Sequence, residues 1–195
     1  MRLFTRILAP LILALPVVLA TSSVAHADGY VGFGVGSQGK LDGSLSEHFT
    51  TGAQSDTSRF ILGQRFGGLA LEASLFKAEL EGTGGAVGKS EFSTASIGID
   101  IKYYVGLVGG LEGYGKIGLN KTWLRGPAAQ NMNYEGRGTE VGAGLQYTLN
   151  LPLTQVGLWL DYSVQETQLR DLEMGTGSDL DGELRMLNLG VFVGF

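Results

Sequence analysis

The ten residues from Ser96 to Val105, SIGIDIKYYV, alternate between two kinds of side chain without a break. In an extended strand successive side chains point to opposite faces, so the odd-numbered residues, which are all apolar, would share one face. The other face would carry the even-numbered residues, including Asp100 and Lys102. A helix would mix these two charges into the apolar side. The period of two therefore predicts a β-strand with two unlike faces.

The same alternation recurs along the chain and predicts eight strands. Their approximate ranges are residues 29 to 39, 57 to 67, 69 to 79, 91 to 105, 110 to 124, 138 to 150, 154 to 167 and 182 to 195. Four connections are polar and Gly-rich, at residues 40 to 56, 80 to 90, 125 to 137 and 168 to 181. They alternate with tight turns at Gly67–Gly68, Gly106–Gly109 and around Asn150–Leu153. This order predicts an all-β fold, an eight-stranded antiparallel up-and-down transmembrane β-barrel with both chain ends at one rim.

Composition agrees with a single barrel domain. The 195 residues are 44% apolar and 17% charged, and the mean hydropathy of +0.14 lies above that of a typical soluble protein and far below that of a membrane-helix bundle. The chain contains 32 glycines and no cysteine. Disulfides and zinc–thiolate sites are therefore excluded.

The N-terminal segment has the pattern of a secretory signal. Arg2 and Arg6 precede the apolar run from Ile7 to Ala20, which is too short to span a bilayer comfortably, and Ala25-His26-Ala27 forms a small-x-small cleavage site. We predict that residues 1–27 are a cleaved signal peptide and that residues 28–195 form the barrel domain. The alternative is a buried N-terminal helix or an uncleaved anchor.

The mature chain is acidic. Once Arg2 and Arg6 are removed, 12 basic residues remain against 19 acidic ones, a net charge of about −7. This balance disfavours nucleic acid and anionic surfaces as partners.

Alternation alone leaves open which face of the barrel is inside. A soluble lipocalin-like barrel would turn its apolar face inward around a ligand, and the charges would then form a solvated outer face. The polar face is rich in glycine, which suits a narrow lumen better than a water-exposed strand. It also carries both signs of charge, which can neutralise one another when enclosed. The expected lumen charges are Arg59, Arg65, Lys102, Lys116 and Arg185 with Glu72, Asp100, Glu112, Glu140 and Asp161.

The last eleven residues, RMLNLGVFVGF, place an apolar side chain at every second position up to Phe195. Phe66, Tyr103 and Tyr147 fall on apolar faces near the same predicted rim, where membrane barrels carry an aromatic girdle. Trp123 and Tyr162 would serve the opposite rim. Both patterns favour a membrane barrel with its apolar face outward.

This terminal pattern resembles the strand signal of outer-membrane barrels, and the mature chain resembles the OmpA-like eight-stranded outer-membrane β-barrel proteins. RFILGQRFGGLALEASLF, residues 59 to 76, is similar to the second and third strands of that group with their tight periplasmic turn. The resemblance implies a porin-family protein of the Gram-negative cell envelope, integral in the outer membrane, with both termini periplasmic. It also implies recognition of the strand that ends in Phe195 by the barrel-assembly machinery. It covers the barrel only, without a peptidoglycan-binding domain.

The expected function follows from the width of the lumen. Eight strands enclose a space that side chains fill, so we expect a packed interior and not a diffusion pore. We therefore predict a structural or surface-interaction, adhesin-like protein that acts through four external loops on a rigid scaffold. The loop ligand would be lipopolysaccharide or a host surface. No enzyme activity, cofactor, metal or nucleic acid is predicted.

Two competing functions remain open. A lipid A-modifying outer-membrane enzyme would need a nucleophile, a base and an acid, and His48 lies in the first loop beside Ser44, Ser46, Glu47 and Asp42. Nothing in the pattern positions these neighbours as a triad. The other alternative is the soluble lipocalin-like binding barrel.

Two further motifs receive simpler interpretations. The acidic segment 169–181 could offer Asp171, Glu173, Asp179 and Asp181 to a divalent cation, but the spacing does not match an EF-hand and a solvated loop is expected. Gly34, Gly36 and Gly39 form a literal GxGxxG. A dinucleotide site needs a helix to begin at these glycines, and the polar stretch KLDGSLSEHF follows instead. The glycines are better explained by a strand lining a narrow lumen.

Overall fold

The computed structural model describes residues 27–43, 55–83, 89–125, 133–171 and 180–195. They form eight strands joined into one closed barrel, in which each strand pairs antiparallel with the next and β8 returns to β1. The strands are β1 (Ala27–Gly43), β2 (Ser55–Phe66), β3 (Leu69–Thr83), β4 (Lys89–Val108), β5 (Leu111–Arg125), β6 (Asn133–Asn150), β7 (Gln155–Asp171) and β8 (Leu180–Gly194). The predicted fold class is confirmed.

No helix among the described residues is long and apolar enough to cross a membrane.

The barrel closes where the first and last strands meet. The backbone N–H of Gly29 donates to the carbonyl of Phe195 at 3.1 Å, and the N–H of Phe195 donates back to the carbonyl of Gly29 at 2.9 Å. Both ends of the described chain therefore lie at one rim, together with the three short turns. We call this the turn rim and the opposite end the loop rim.

The short turns depend on glycine at the turn rim. Gly67 adopts a φ of 62°, and Gly109 and Gly110 adopt 59° and 83°, a region that side-chain-bearing residues rarely occupy. The predicted turn at Gly106–Gly109 is displaced, because β4 continues through a bulge between Gly106 and Val108 before the chain reverses at Gly109–Gly110.

Several strands extend beyond their predicted ends at the loop rim. β6 begins at Asn133 instead of residue 138, β7 continues to Asp171 instead of residue 167, and β1 includes Asp42, which was expected in the first loop. Polar residues such as Glu135 and Arg137 face outward in these extensions, so the hydropathy no longer alternates. The loss of that signal explains why strand residues resembled loop residues.

The two faces of the barrel differ as the alternation predicts. The outward face carries a continuous belt of exposed apolar side chains, including Phe33, Leu71, Ile99, Ile101, Leu119, Val141, Leu158, Leu189 and Val191. The predicted girdle residues Phe66, Tyr103, Tyr147 and Phe195 are also exposed, beside the turn rim. The inward face buries polar and charged side chains. The lipocalin-like arrangement is therefore wrong for this barrel.

One predicted lumen charge lies on the wrong face. Arg185 points outward with 46% of its side chain exposed, and its Nε donates to Glu183 at 2.6 Å. The reason is strand parity, because Arg185 shares its face with the exposed Leu187 and Leu189.

Lumen glycines make room for large side chains of neighbouring strands. A Cβ on Gly34 would lie 2.5 Å from the Trp159 ring, and a Cβ on Gly142 would lie 2.7 Å from Cε of Lys116. Gly63 faces Tyr30 in the same way. The GxGxxG stretch is thus part of β1, and its inward glycines accommodate lumen side chains.

We predict that Gly34→Leu impairs barrel packing, because the added side chain must displace Trp159. Overpacking of this kind costs about 1–3 kcal/mol of the free energy of unfolding. Urea unfolding of the barrel refolded in detergent, with the mobility of unboiled samples on a gel, would measure the loss. Val35→Leu, on the lipid-facing side of the same strand, is the matched control and is expected to unfold as the unmodified barrel does. Equal behaviour of the two variants would contradict the packing argument.

Candidate functional site

The lumen is built around one buried guanidinium, that of Arg59 on β2. Its Nη1 donates to Glu140 at 2.8 Å and its Nη2 donates to Asp100 at 3.1 Å, while Asp161 lies 3.8 Å away. Nζ of Lys116 lies 2.6 Å from Glu140 and 2.8 Å from Asp161. These five side chains come from five strands, β2 and β4 to β7, so the network connects much of the barrel wall through its centre.

A second buried pair lies beside this network on β3 and β4. Nζ of Lys102 donates to Glu72 at 2.6 Å, and the hydroxyl of Tyr30 donates to the same carboxylate oxygen at 2.8 Å. The ammonium of Lys102 also lies 4.7 Å from the centre of the Tyr114 ring, and the Tyr114 hydroxyl donates to Asp161. These contacts provide each buried ion with an opposite charge, which enclosure in a medium of low polarity requires.

The turn rim is spanned by a third pair, Arg65 and Glu112. Two parallel hydrogen bonds of 2.7 Å join them, and the guanidinium stacks 4.4 Å from the centre of the Tyr104 ring. This pair lines a polar depression of about 540 Å³ that also includes Asp28 and Gln155. The predicted lumen charges other than Arg185 are therefore all paired inside the barrel.

Between the charged network and the loop rim, the polar side chains of the lumen are amides and hydroxyls. Nε2 of Gln165 donates to Thr122 at 2.8 Å, to Thr167 at 3.1 Å and to Asn120 at 3.2 Å. The Thr122 hydroxyl continues the network to Ser96 at 3.3 Å. This layer pairs many of its buried polar groups with one another and adds no net charge, although among the described residues Nδ2 of Asn120 has no hydrogen-bond partner.

Two apolar clusters complete the packing of the lumen. The first lies among the charges on the side of the turn rim, and its members are Tyr30, Ile61, Ala70, Tyr104, Tyr114, Trp159 and Phe192. The second lies toward the loop rim and consists of Phe76, Ala78, Leu124, Leu169, Leu184 and Met186, with Tyr134 packed against it. Over the described residues the charged centre is thus enclosed by packed side chains on both sides, as the narrow lumen predicts.

The outside of the barrel is polar beyond the apolar belt. Lys121 and Trp123 of β5 face outward there, with Glu135 of β6 bound to both, at 2.5 Å from the ammonium and 3.0 Å from the indole N–H. The hydrogen bond from Lys121 lowers the pKa of the Glu135 carboxyl. A depression of about 550 Å³ follows on β6 to β8, lined in part by Arg137, Gln168 and Glu183.

The remaining predicted site residues are only partly placed. His48, Ser44, Ser46 and Glu47 lie outside the described residues, and the fifth member of that group, Asp42, is a β1 residue opposite Glu183.

The predicted extent of the acidic loop, residues 169–181, is wrong at both ends, because its first and last residues belong to strands. Asp171 belongs to β7 and Asp181 to β8, whereas Glu173 and Asp179 are outside the described residues. Within the described ranges no group of three or more His, Cys, Asp or Glu residues is positioned to hold a metal ion.

Sequence reasoning missed the polar residues that complete the lumen network. The hydroxyls of Tyr30 and Tyr114 bind lumen carboxylates, and Asn188 accepts from Thr57 at 3.2 Å. Strand parity assigns all of these residues to the inward face. It does not indicate which of them meet across the lumen, because that depends on the register of strands on opposite walls.

The closed barrel with an apolar exterior and a packed, charged interior defines a small transmembrane β-barrel. Among solved structures the chain is similar to Neisserial surface protein A (NspA), with 16% identity, a TM-score of 0.60 and coverage of 87% of this chain and 99% of that one. It is also similar to the outer membrane protein OprG from Pseudomonas aeruginosa, with 14% identity, a TM-score of 0.53 and coverage of 88% and 96%. A third similar structure is the outer membrane protein AlkL in lipid bilayers, with 16% identity, a TM-score of 0.52 and coverage of 87% and 90%.

These similarities support the eight-stranded outer-membrane barrel fold that the resemblance to OmpA-like proteins implied. No protein-family model matches the chain, and a search of the curated proteins finds no match. The comparisons therefore define the fold and not the function.

We predict that Arg59→Met strongly destabilises the barrel, because Glu140 and Asp100 lose their shared cation in a buried site. Breaking a buried ion pair in this way costs about 3–5 kcal/mol of the free energy of unfolding. Urea unfolding of the refolded barrel in detergent measures this cost.

Two further variants make this test specific. Arg185→Met removes the exposed cation that was expected in the lumen and should cost at most about 1 kcal/mol. Adding Asp100→Asn to Arg59→Met should restore part of the lost stability, because it removes the carboxylate that has lost its cation, whereas Glu140 keeps Lys116. If Arg59→Met and Arg185→Met unfold alike, the buried network is not a main source of stability.

Proposed function

We propose that this protein is an integral outer-membrane barrel that acts as a structural or surface-interaction, adhesin-like protein through the four segments at its loop rim. The observation that carries the proposal is the packed lumen, whose charges are paired and enclosed by apolar clusters. A barrel filled in this way offers a rigid scaffold. Recognition of other molecules would then fall to the segments that the scaffold holds. These segments include residues 44–54, 84–88, 126–132 and 172–179.

The exterior of the barrel supports its location in a membrane. Exposure of the apolar belt to water would cost free energy, whereas contact with lipid acyl chains would not. The three similar structures are named as surface or outer-membrane proteins, which favours the outer membrane for this chain as well. Residues 1–27 would then serve as the cleaved signal that brings the chain to the envelope.

The proposed orientation places the turn rim in the periplasm. Short turns and both termini are found on the periplasmic side of outer-membrane barrels, and longer loops on the outside. Phe195, which directly follows the closing strand β8, is proposed to be the recognition point for the barrel-assembly machinery. The loops would meet lipopolysaccharide or a host surface.

Replacement of the loop segments by Gly-Ser linkers of equal length tests the surface role. Cells that display the unmodified barrel are expected to attach to a cultured epithelial monolayer better than cells that display the loop-replaced barrel, because the scaffold alone carries no ligand contacts. Equal attachment would overturn the adhesin-like role and leave the structural one. Equal heat-dependent mobility of the two proteins on a gel would show that both barrels are folded.

Single cysteines provide the control for orientation, since the chain has none of its own. Ser46→Cys in the first loop should react with a membrane-impermeant maleimide on intact cells. Leu153→Cys, at a turn-rim residue with 95% exposure, should react only after the outer membrane is permeabilised. The opposite labelling pattern would reverse the proposed orientation.

A lipid A-modifying enzyme is the competing function, and we propose that the protein is not an enzyme. We predict that His48→Ala leaves the acylation and deacylation pattern of lipid A unchanged in cells that express the barrel, because this residue would be a solvated loop side chain. Mass spectrometry of extracted lipid A checks this outcome against cells with the unmodified barrel and cells without it. A modification that appears with the unmodified barrel and disappears with His48→Ala would establish the enzyme.

A further inference from the structure

The outer wall of β5 to β8 divides into two halves of opposite charge toward the loop rim. On β5 and β6 the outward charged residues are Lys121, Arg125, Glu135 and Arg137, and on β7 and β8 they are Glu166, Arg170, Asp181, Glu183 and Arg185. With all of these counted, the first half carries a net charge of +2 and the second a net charge of −1. The boundary between the halves runs along the β6–β7 ladder.

Arg137 lies on the positive side of this boundary. Glu135 is a nearby counter-charge that interacts electrostatically with Arg137, but its carboxylate is engaged by Lys121 and by the indole N–H of Trp123. Among the described residues Arg137 forms no ion pair. Its guanidinium is therefore available to a carboxylate that approaches from outside the barrel.

Glu166 lies on the negative side of the boundary. Its ladder partner on β8 is Glu183, which is paired with Arg185, and its ladder partner on β6 is Thr139. Like charges that are direct partners destabilise a strand pair, so a further cation beside Glu166 is favoured. The described residues include no ion-pair partner for this carboxylate.

The two charges lie at similar heights above the turn rim. Glu166 is eleven residues after Gln155, where β7 begins, and Arg137 is thirteen residues before Asn150, where β6 ends. Copies inserted into a membrane in one direction can form a closed pair only about an axis along the membrane normal. Such a two-fold axis, placed outside the β6–β7 boundary, brings Arg137 of each copy close to Glu166 of the other.

The wall around these charges allows two copies to approach. Ala143 on β6 and Tyr162 on β7 are ladder partners, and Tyr162 is exposed. The same axis places each Tyr162 over Ala143 of the second copy, so that a large side chain meets a small one. Toward the loop rim, the depression of about 550 Å³ beside Thr139 and Glu166 has room for Arg137 of the second copy.

We propose that this protein forms a two-fold symmetric dimer in the membrane through its β6–β7 wall, with Arg137 of each copy paired to Glu166 of the other. Lipid chains cover an apolar belt as well as another barrel does, so the polar pairs at its edge provide the preference for association. A second copy fits this wall because the wall carries both members of each pair. The inference rests on the proposed insertion into a membrane but not on the adhesin-like role, so dimer formation and attachment of cells can fail separately.

The test measures energy transfer between copies of the mature barrel in phosphatidylcholine vesicles at low protein density. The donor and acceptor dyes are attached to Val108→Cys, at an exposed turn-rim position outside the β6–β7 wall. We expect energy transfer for the unmodified wall. Arg137→Glu and Glu166→Arg, each studied alone, should weaken association about tenfold, because two ion pairs become two like-charge contacts.

A mixture of the two charge-reversed variants makes the test specific for contacts between copies. With the donor on Arg137→Glu and the acceptor on Glu166→Arg, both contacts again join opposite charges, so energy transfer should return. Lys77→Glu, which reverses an outward charge on β3 on the opposite wall, is the matched control and should leave the transfer unchanged. Heat-dependent gel mobility shows that each variant is folded.

Any of three results would overturn the proposal. The first is no energy transfer for the unmodified wall beyond that expected from random proximity. The second is an equal loss of transfer with Lys77→Glu. The third is a mixture of Arg137→Glu and Glu166→Arg that associates no better than either variant alone.

Discussion

The width of an eight-stranded barrel is the constraint on which the rest of this structure depends. The lumen has room for one set of side chains, so a large residue on one strand needs a very small one beside it. Trp159 illustrates the requirement, because its ring occupies the space that side chains at both Gly34 and Gly190 would need. The abundance of glycine on the inward faces of the strands, including the GxGxxG stretch of β1, is a consequence of this steric limit.

The same limit produces the buried charge network. Side chains from opposite walls meet within hydrogen-bond distance, so Arg59 reaches carboxylates on β4 and β6. Each ion has exchanged water for a partner of opposite charge, and the apolar clusters on either side keep water from competing. A lumen occupied in this way leaves the loop rim and the outer wall as the surfaces available for recognition.

Strand parity accounts for most of what the sequence could predict. It assigned Ile99 to lipid and Asp100 to the lumen, and both assignments are confirmed. The prediction for Arg185 was wrong because it followed the charge of the side chain and not its position. Parity places Arg185 on the outward face, with Leu187 and Leu189. Alternation also did not identify the strand ends beyond the belt, because both faces of the strands are polar there, as around Arg137. The hydrogen bond between Tyr30 and Glu72 could not be predicted from parity. Such contacts depend on the register of strands across the lumen and on how far the Tyr30 ring extends into it.

The seam between Gly29 and Phe195 has a consequence for how the barrel assembles. All other neighbouring strands are adjacent in sequence and can pair as local hairpins, whereas β1 and β8 join the two ends of the barrel domain. The entropy lost on closing such a long loop is large, and contacts of high sequence separation form slowly. Closure of this seam is therefore the natural late step of folding. Because the ends lie one strand apart, a circular permutation that joins them and opens the Gly67–Gly68 turn would preserve every ladder while exchanging the late seam for a local hairpin.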